Sequence, residues 1–85
     1  MNTNNPISIS VKLIALLALY KPSGIDSPTF TLEVEKEMII EQLIHHLDLP
    51  AEKIKTISLN DKLVKSSHIL HDGDRLIFFP TIAGG

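Results

Sequence analysis

The sequence predicts one small α+β domain, in which a mixed sheet carries a single main helix on one face. Three observations lead to this prediction. Apolar and polar residues alternate in segments near both ends of the chain, which is typical of strands. Between these segments one stretch changes to a helical period. The chain has 85 residues, so there is room for one core only, and a helix crossing one face of a sheet would bury it.

The first half of the chain predicts two antiparallel strands. Residues 7–13 alternate between aliphatic and polar side chains, and both faces of the segment become apolar over residues 13–20. Residues 21–24, Lys-Pro-Ser-Gly, are expected to end this extended segment because they favour turns. Residues 29–34 alternate again, and we expect them to pair with the first strand. The apolar face of this second strand consists of Phe30, Leu32 and Val34.

A helix is predicted in the middle of the chain, where apolar residues fall at i, i+3, i+4 and i+7. No Ser, Thr, Asp or Asn stands before this stripe as an N-cap, but Glu35 and Glu37 would suit the positive end of the helix dipole. Pro50 is expected to end the helix soon after Leu49. The stripe consists of Ile40, Leu43, Ile44 and Leu47.

Three further strands are predicted after the helix. Residues 54–59 read as a strand, Asn60-Asp61 as a turn and Leu63-Val64 as a short return strand. Asp72-Gly73-Asp74 is expected to turn the chain into a last strand over residues 76–79. The first and last strands are the most apolar, so we expect them to lie side by side and parallel at the centre of the sheet.

Composition and charge exclude several classes of function. The chain has no cysteine, which excludes disulfides, thiolate metal sites and cysteine nucleophiles. The net charge of -2, the pI near 6.0 and the 5% aromatic content argue against a nucleic-acid-binding surface. The apolar run at residues 13–20 is too short to span a bilayer and lacks the basic start of a signal peptide. We therefore expect a cytoplasmic protein that contacts neither nucleic acid nor membranes.

The four histidines raise the question of a metal site. His45 and His46 are adjacent in the predicted helix and project about 100° apart, so they cannot readily share one ion. His68 and His71 are expected in a loop with no thiolate nearby. We interpret all of them as solvated surface residues and expect no bound metal.

The end of the chain, Gly84-Gly85, is its most informative feature. Glycine has the most backbone freedom to lose and no side chain to bury, so a packed domain gains little stability from ending in two of them. Such an ending is useful if the terminal carboxylate is itself the working group. We therefore predict a carrier with a disordered N-terminus at residues 1–6, a folded domain at residues 7–80 and a flexible tail at residues 81–85.

The predicted element order and the C-terminal residues resemble the MoaD/ThiS family of ubiquitin-like β-grasp sulfur carriers. The most specific part is Asp72-Gly73-Asp74, followed by Phe78-Phe79-Pro80 and by the ending Ile82-Ala83-Gly84-Gly85. The Phe-Phe-Pro form is more similar to the small subunit of molybdopterin synthase than to the thiamine carrier. The chain departs from the family pattern in two places. Ala18-Leu19 replaces a basic, polar segment after the first strand, and Ile39 replaces a small polar residue at the helix start.

The resemblance implies that the chemistry takes place on the Gly85 carboxylate. An ATP-dependent adenylyltransferase related to ubiquitin-activating enzymes would activate it, and a persulfide donor would convert it to a thiocarboxylate. The large subunit of molybdopterin synthase would receive the sulfur during molybdenum or tungsten cofactor synthesis. The chain itself would bind no cofactor and would catalyse nothing, because ATP is used by the partner.

The resemblance also implies two sets of contact residues. The tail would thread a channel of the partner through Thr81, Ile82, Ala83 and Gly84. The surface that docks on the partner would consist of Phe79, Ile14, Leu63 and Pro80.

Three alternatives keep the same fold. A thiamine-type sulfur carrier and a protein modifier conjugated to lysines through Gly85 both use the same activated carboxylate, so the sequence does not separate them from the molybdopterin carrier. A passive binding module would not use that carboxylate. In that case removing Gly84-Gly85 would change nothing.

Overall fold

The computed structural model describes residues 6–81. Two short 3₁₀ helices accompany the main elements, at Ala15–Tyr20 and Ala51–Lys53. The predicted disordered N-terminus, apart from Pro6, and residues 82–85 of the predicted tail lie outside the described residues. The main elements are β1 (Ile7–Leu13), β2 (Thr29–Val34), α1 (Ile40–His46), β3 (Ile54–Leu59), β4 (Lys62–Val64) and β5 (Arg75–Pro80).

The five strands form one mixed sheet in the order β2-β1-β5-β3-β4. β1 and β5 lie side by side and parallel, with Val11 opposite Leu76. All other neighbouring strands are antiparallel. The predicted α+β class is confirmed, and so is the prediction that the two most apolar strands lie parallel inside the sheet.

The core lies between one face of the sheet and α1. Strand alternation turns Val11 and Phe78 inward, and both are fully buried at 0% exposure. Ile40 and Leu43 of α1 are buried equally well against them. The remaining core residues are Ile7, Ile9, Leu13, Leu17, Phe30, Val34, Ile44, Leu49, Ile57, Leu59, Leu70 and Leu76.

The apolar run after Leu13 does not extend β1, and this expectation was wrong. Ala15 has a left-handed backbone conformation with φ of 53°, which takes the chain out of the sheet. Residues 15–20 then form a 3₁₀ helix that buries Leu17, while Leu19 is 81% exposed. A short run that is apolar on all sides carries no period, so strand and helix cannot be distinguished from it.

The start of α1 is capped from a distant part of the chain. Ile39, at the N-cap position, has no side-chain oxygen, and its own amide donates to Gln42 Oε1 at 3.0 Å. The next two amides donate to backbone carbonyls in the 66–68 loop at 3.0 and 2.8 Å. Glu35 and Glu37 precede the helix, and the acidic residue within its first turn is Glu41. Backbone groups therefore replace the side-chain cap that the sequence lacks.

A reversal of the backbone ends α1 well before Pro50. Asp48 has a left-handed φ of 57°, and its amide donates to the carbonyl of His45 at 3.0 Å. The amide of Leu49 donates to the carbonyl of Ile44, also at 3.0 Å. These two bonds form a Schellman motif, in which Leu49 folds back and is buried. The proline was therefore the wrong stop signal.

None of the helices within residues 6–81 has the length and hydropathy of a membrane-spanning segment.

Candidate functional site

β5 delivers the chain to the point where the tail begins. Pro80 lies opposite Ile54 in the ladder with β3, and the amide of Thr81 donates to the carbonyl of Lys53 at 2.9 Å. Proline lacks an N–H but keeps its carbonyl, so it can occupy the end of a strand. Pairing therefore continues to Thr81, two residues beyond the predicted end of the last strand at Phe79. We call this point, at Thr81, the tail exit.

The tail residues that carry the predicted chemistry lie outside the described residues. This applies to Gly85, the predicted site of modification, and to Gly84, Ala83 and Ile82. Their roles remain predictions. What the structure describes is the position of Thr81, the residue that precedes them.

The turn before β5 anchors the strand that leads to the tail exit. Gly73 has φ of 87°, a conformation that glycine adopts without a steric penalty. Its amide donates to the carbonyl of Ser8 at 2.7 Å, and the amide of Ser8 donates to Asp72 Oδ1 at 2.7 Å. The first two residues of the Asp-Gly-Asp motif therefore join this turn to the start of β1.

The last residue of the motif holds β5 against the β3–β4 turn. Asp74 is only 7% exposed, and its carboxylate accepts hydrogen bonds from Asn60 Nδ2 at 2.9 Å and from the amide of His71 at 2.7 Å. Asn60 Oδ1 in turn accepts from the amide of Arg75 at 2.9 Å. The motif that carried much of the resemblance is thus structural, and it fixes the strand that positions the tail.

The predicted docking residues lie near the tail exit or on the face of the sheet opposite α1, the open face. Phe79 is half-buried and faces away from the core, since its neighbour Phe78 is buried. The amide of Ile14 donates to the carbonyl of Phe78 at 3.2 Å, which brings Ile14 next to Phe79. Pro80 is half-buried beside them at the end of β5. The docking role of these residues remains a prediction.

Leu63 is farther from Phe79 than the other docking residues. It lies on β4, is 75% exposed and is opposite Ser58 of β3. Ser58 is opposite Ile77 of β5, which precedes Phe79 by two residues on the same face. Ile77, which is not among the predicted docking residues, therefore connects Leu63 to Phe79. The alternation of β5 is the signal from which it could have been found.

Positive side chains border this apolar surface. Lys12 lies on β1, opposite Ile77 of β5, and is exposed. Arg75 lies on β5, two residues before Ile77. Its guanidinium makes an ion pair with the Asp61 carboxylate at 3.2 Å, and both side chains are largely exposed to solvent. An exposed pair of this kind contributes little stability, so its main effect is on the surface charge of the open face.

The four histidines are exposed, as expected for solvated residues. They lie on α1 and in the loops before β5. Within residues 6–81, no group of three or more histidine, aspartate or glutamate side chains could hold a metal ion. The histidines are His45, His46, His68 and His71.

Several solved structures share the fold. The crystal structure of SAMP1 from Haloferax volcanii is 20% identical, with a TM-score of 0.64, and the match covers 92% of this chain and 99% of that chain. The solution structure of the HVO 2177 protein from the same organism is 16% identical, with a TM-score of 0.78. The match covers 100% of this chain and 92% of that chain. A candidate molybdopterin converting factor, subunit 1, from Pyrococcus furiosus is 19% identical, with a TM-score of 0.64. The match covers 89% of this chain and 99% of that chain.

These structures support the fold assignment, a ubiquitin-like β-grasp with a five-stranded mixed sheet and one main helix. No curated protein matches the sequence. A family model described as the ThiS family matches residues 21–85, which is more than half of the chain and includes its last residue. The chain belongs to the ThiS family.

Proposed function

We propose that this protein is a sulfur carrier whose Gly85 carboxylate is adenylated and then converted to a thiocarboxylate. The observation that supports this most directly is the family match, which extends through Gly84-Gly85. The described part of the chain adds a physical reason. Its central strand is fixed on both sides and delivers the backbone to the tail exit at Thr81.

The tail is long enough, and its terminal residues are small enough, to enter a partner's active site. From Thr81 to Gly85 an extended chain spans roughly 14 Å at about 3.4 Å per residue. Two terminal glycines carry no Cβ atoms, so they fit a narrow channel that would exclude larger residues. The folded domain would remain outside while the carboxylate reaches the reacting groups.

Holding the tail in a channel has an entropic cost, and docking contacts must offset it. Ordering four residues costs on the order of 4–8 kcal/mol of backbone entropy. The apolar residues of the open face, Ile14, Ile77, Phe79 and the exposed Leu63, provide a surface on which a partner could recover this free energy. The partner in this proposal is an adenylyltransferase related to ubiquitin-activating enzymes.

The chemistry uses the terminal carboxylate and no side chain of this protein. A carboxylate oxygen attacks the α-phosphorus of ATP, pyrophosphate leaves and an acyl-adenylate forms. The terminal sulfur of a persulfide then attacks the carbonyl carbon, and AMP leaves. A thiol reductant cleaves the resulting S–S bond and frees the thiocarboxylate. ATP is consumed by the partner, and the carrier itself would hold no cofactor.

We propose molybdopterin synthesis as the pathway, with the large subunit of molybdopterin synthase as the sulfur acceptor. The Phe78-Phe79-Pro80 sequence supports this branch over the thiamine branch. A protein modifier is the second candidate, because SAMP1, whose fold is similar, is described as a small archaeal modifier protein in the Methanosarcina acetivorans structure. That structure is 17% identical, with a TM-score of 0.60.

One experiment separates the sulfur carrier from the modifier. The protein is incubated with ATP, the adenylyltransferase of its own organism and a persulfide donor, and its intact mass is measured. A sulfur carrier gains about 16 Da, because sulfur replaces one oxygen of the carboxylate. A modifier instead forms conjugates of higher mass, visible on a denaturing gel with cell extract. An unchanged mass and no conjugates would contradict both functions.

A further inference from the structure

A groove runs between α1 and the first half of β3, on the core side of the sheet. β4 pairs only with residues 57–59 of β3, so among the described residues no strand covers residues 54–56 on that side. The groove has a volume of about 1080 Å³. Its apolar lining includes Ile44, Leu49, Ile54, Ile57 and Val64.

The rim of the groove carries two positive side chains. Lys55 and Lys65 line it and are exposed. Neither makes an ion pair within residues 6–81. Glu41 and His45, which are also exposed, line it from α1. A short ligand with an apolar side chain and one carboxylate would therefore match both the lining and the lysines.

We infer that residues 82–85 of the same chain occupy this groove when no partner is bound. Ile82 would lie on the apolar lining, and the Gly85 carboxylate would lie between Lys55 and Lys65. The tail exit supports this occupant, because Thr81 is hydrogen-bonded to Lys53, directly beside the groove residue Ile54.

The tail is long enough for this arrangement. It must cross from the β5 side of β3 to its other side, roughly two strand spacings or about 10 Å, and turn back about 7 Å along the chain from Lys53 to Lys55, a direct distance of about 12 Å. Four residues beyond Thr81 span about 14 Å when extended. The carboxylate can therefore reach the rim, and the glycines allow the turn that this path requires.

Docking of this kind would regulate access to the carboxylate. The chain would exchange between a docked and a free tail, and only the free form could enter a partner's channel. The apparent affinity for the partner would then fall in proportion to the free fraction. The inference concerns the isolated chain and does not depend on the proposed sulfur chemistry.

A spin label on the tail tests the inference in the full-length protein. The chain has no cysteine, so Ala83→Cys gives a single attachment site for a nitroxide. Amide signal intensities are compared with the label oxidised and reduced. We expect strong intensity loss at Lys55 and Val64, and little loss at Ile14, which flanks β5 on the other side of the tail exit. Equal loss at Ile14 and Lys55 would overturn the inference.

Charge reversals provide a matched control in the same labelled protein. Lys65→Glu should reduce the intensity loss at Val64, because it repels the Gly85 carboxylate. Lys62→Glu makes the same change of charge on exposed β4 but does not line the groove, so it should leave the loss unchanged. Equal effects of the two variants, or no effect of Lys65→Glu, would contradict the proposed carboxylate position. No ATP or partner is present, so this outcome is separate from that of the sulfur-transfer test.

Discussion

The amide of Thr81 donates a hydrogen bond to the carbonyl of Lys53 at 2.9 Å, which makes Thr81 the last residue held by the sheet in the described part of the chain. The bond extends the β5–β3 ladder past Pro80. It ties the backbone of Thr81, the first residue of the predicted tail, to the chain just before β3.

Removing this donor should loosen the tail exit. Thr81→Pro deletes the N–H group while leaving the core untouched. We expect the free energy of unfolding to fall by about 1 kcal/mol, the net contribution of one backbone hydrogen bond. Thr81→Ala keeps the amide and should leave the stability unchanged. Chemical denaturation of both variants checks this, and equal losses would show that the side chain matters more than the amide.

The buried carboxylate of Asp74 should be far more important for stability than the exposed one of Asp61. Asp74→Ala leaves Asn60 Nδ2 and the amide of His71 without their acceptor, and we expect a loss of about 2–3 kcal/mol. Asp61→Ala removes only the exposed ion pair with Arg75, which should cost less than about 1 kcal/mol. Denaturant midpoints of the two variants, measured side by side, test the difference. A larger loss for Asp61→Ala would refute the structural role of Asp74.

Ala15 should be replaceable by glycine with a gain in stability. Its φ of 53° is left-handed, which costs an L-residue with a Cβ atom roughly 1–2 kcal/mol. Ala15→Gly should recover up to about 1 kcal/mol of this, because glycine also loses more entropy on folding. Ala18→Gly, at a position of the same 3₁₀ helix without a left-handed backbone, should lower the melting temperature. A drop for Ala15→Gly would contradict the prediction.

Leu63 tests the docking surface with little risk to the fold, because its side chain is 75% exposed. Leu63→Asp should weaken binding of the adenylyltransferase at least about tenfold if Leu63 is a central contact. Ile69→Asp is the matched control, since Ile69 is 45% exposed and lies in the loop that pairs with the start of α1. Calorimetric titration of both variants measures the effect. Unchanged affinity for Leu63→Asp would exclude Leu63 from the interface.

Much of the fold could be predicted because local patterns determine it. Alternation identified β1 and β2, and the apolar character of β1 and β5 placed them parallel inside the sheet. The capping of α1 by the 66–68 loop could not be predicted, since it joins backbone groups that are distant in sequence. The 3₁₀ helix at residues 15–20 was missed because its apolar residues show no period.

The candidate site was predictable where it depends on strand alternation and not where it depends on strand order. Phe78 and Phe79 are adjacent on β5, so alternation puts them on opposite faces, and with Phe78 buried Phe79 faces away from the core. The connection of Leu63 to Phe79 through Ile77 requires the pairing of β3 with both β4 and β5. Pairing of that kind is not visible in a single sequence.

The central claim is that the carboxylate of Gly85 is the reacting group. Intact mass after incubation with ATP, the adenylyltransferase and a persulfide donor tests it most directly, using the natural chain and a variant with one alanine added after Gly85. We predict that the natural chain gains about 16 Da, as oxygen is exchanged for sulfur, while the extended variant keeps its mass and its fold. An equal gain on the extended variant, with the added alanine still present, would contradict the claim.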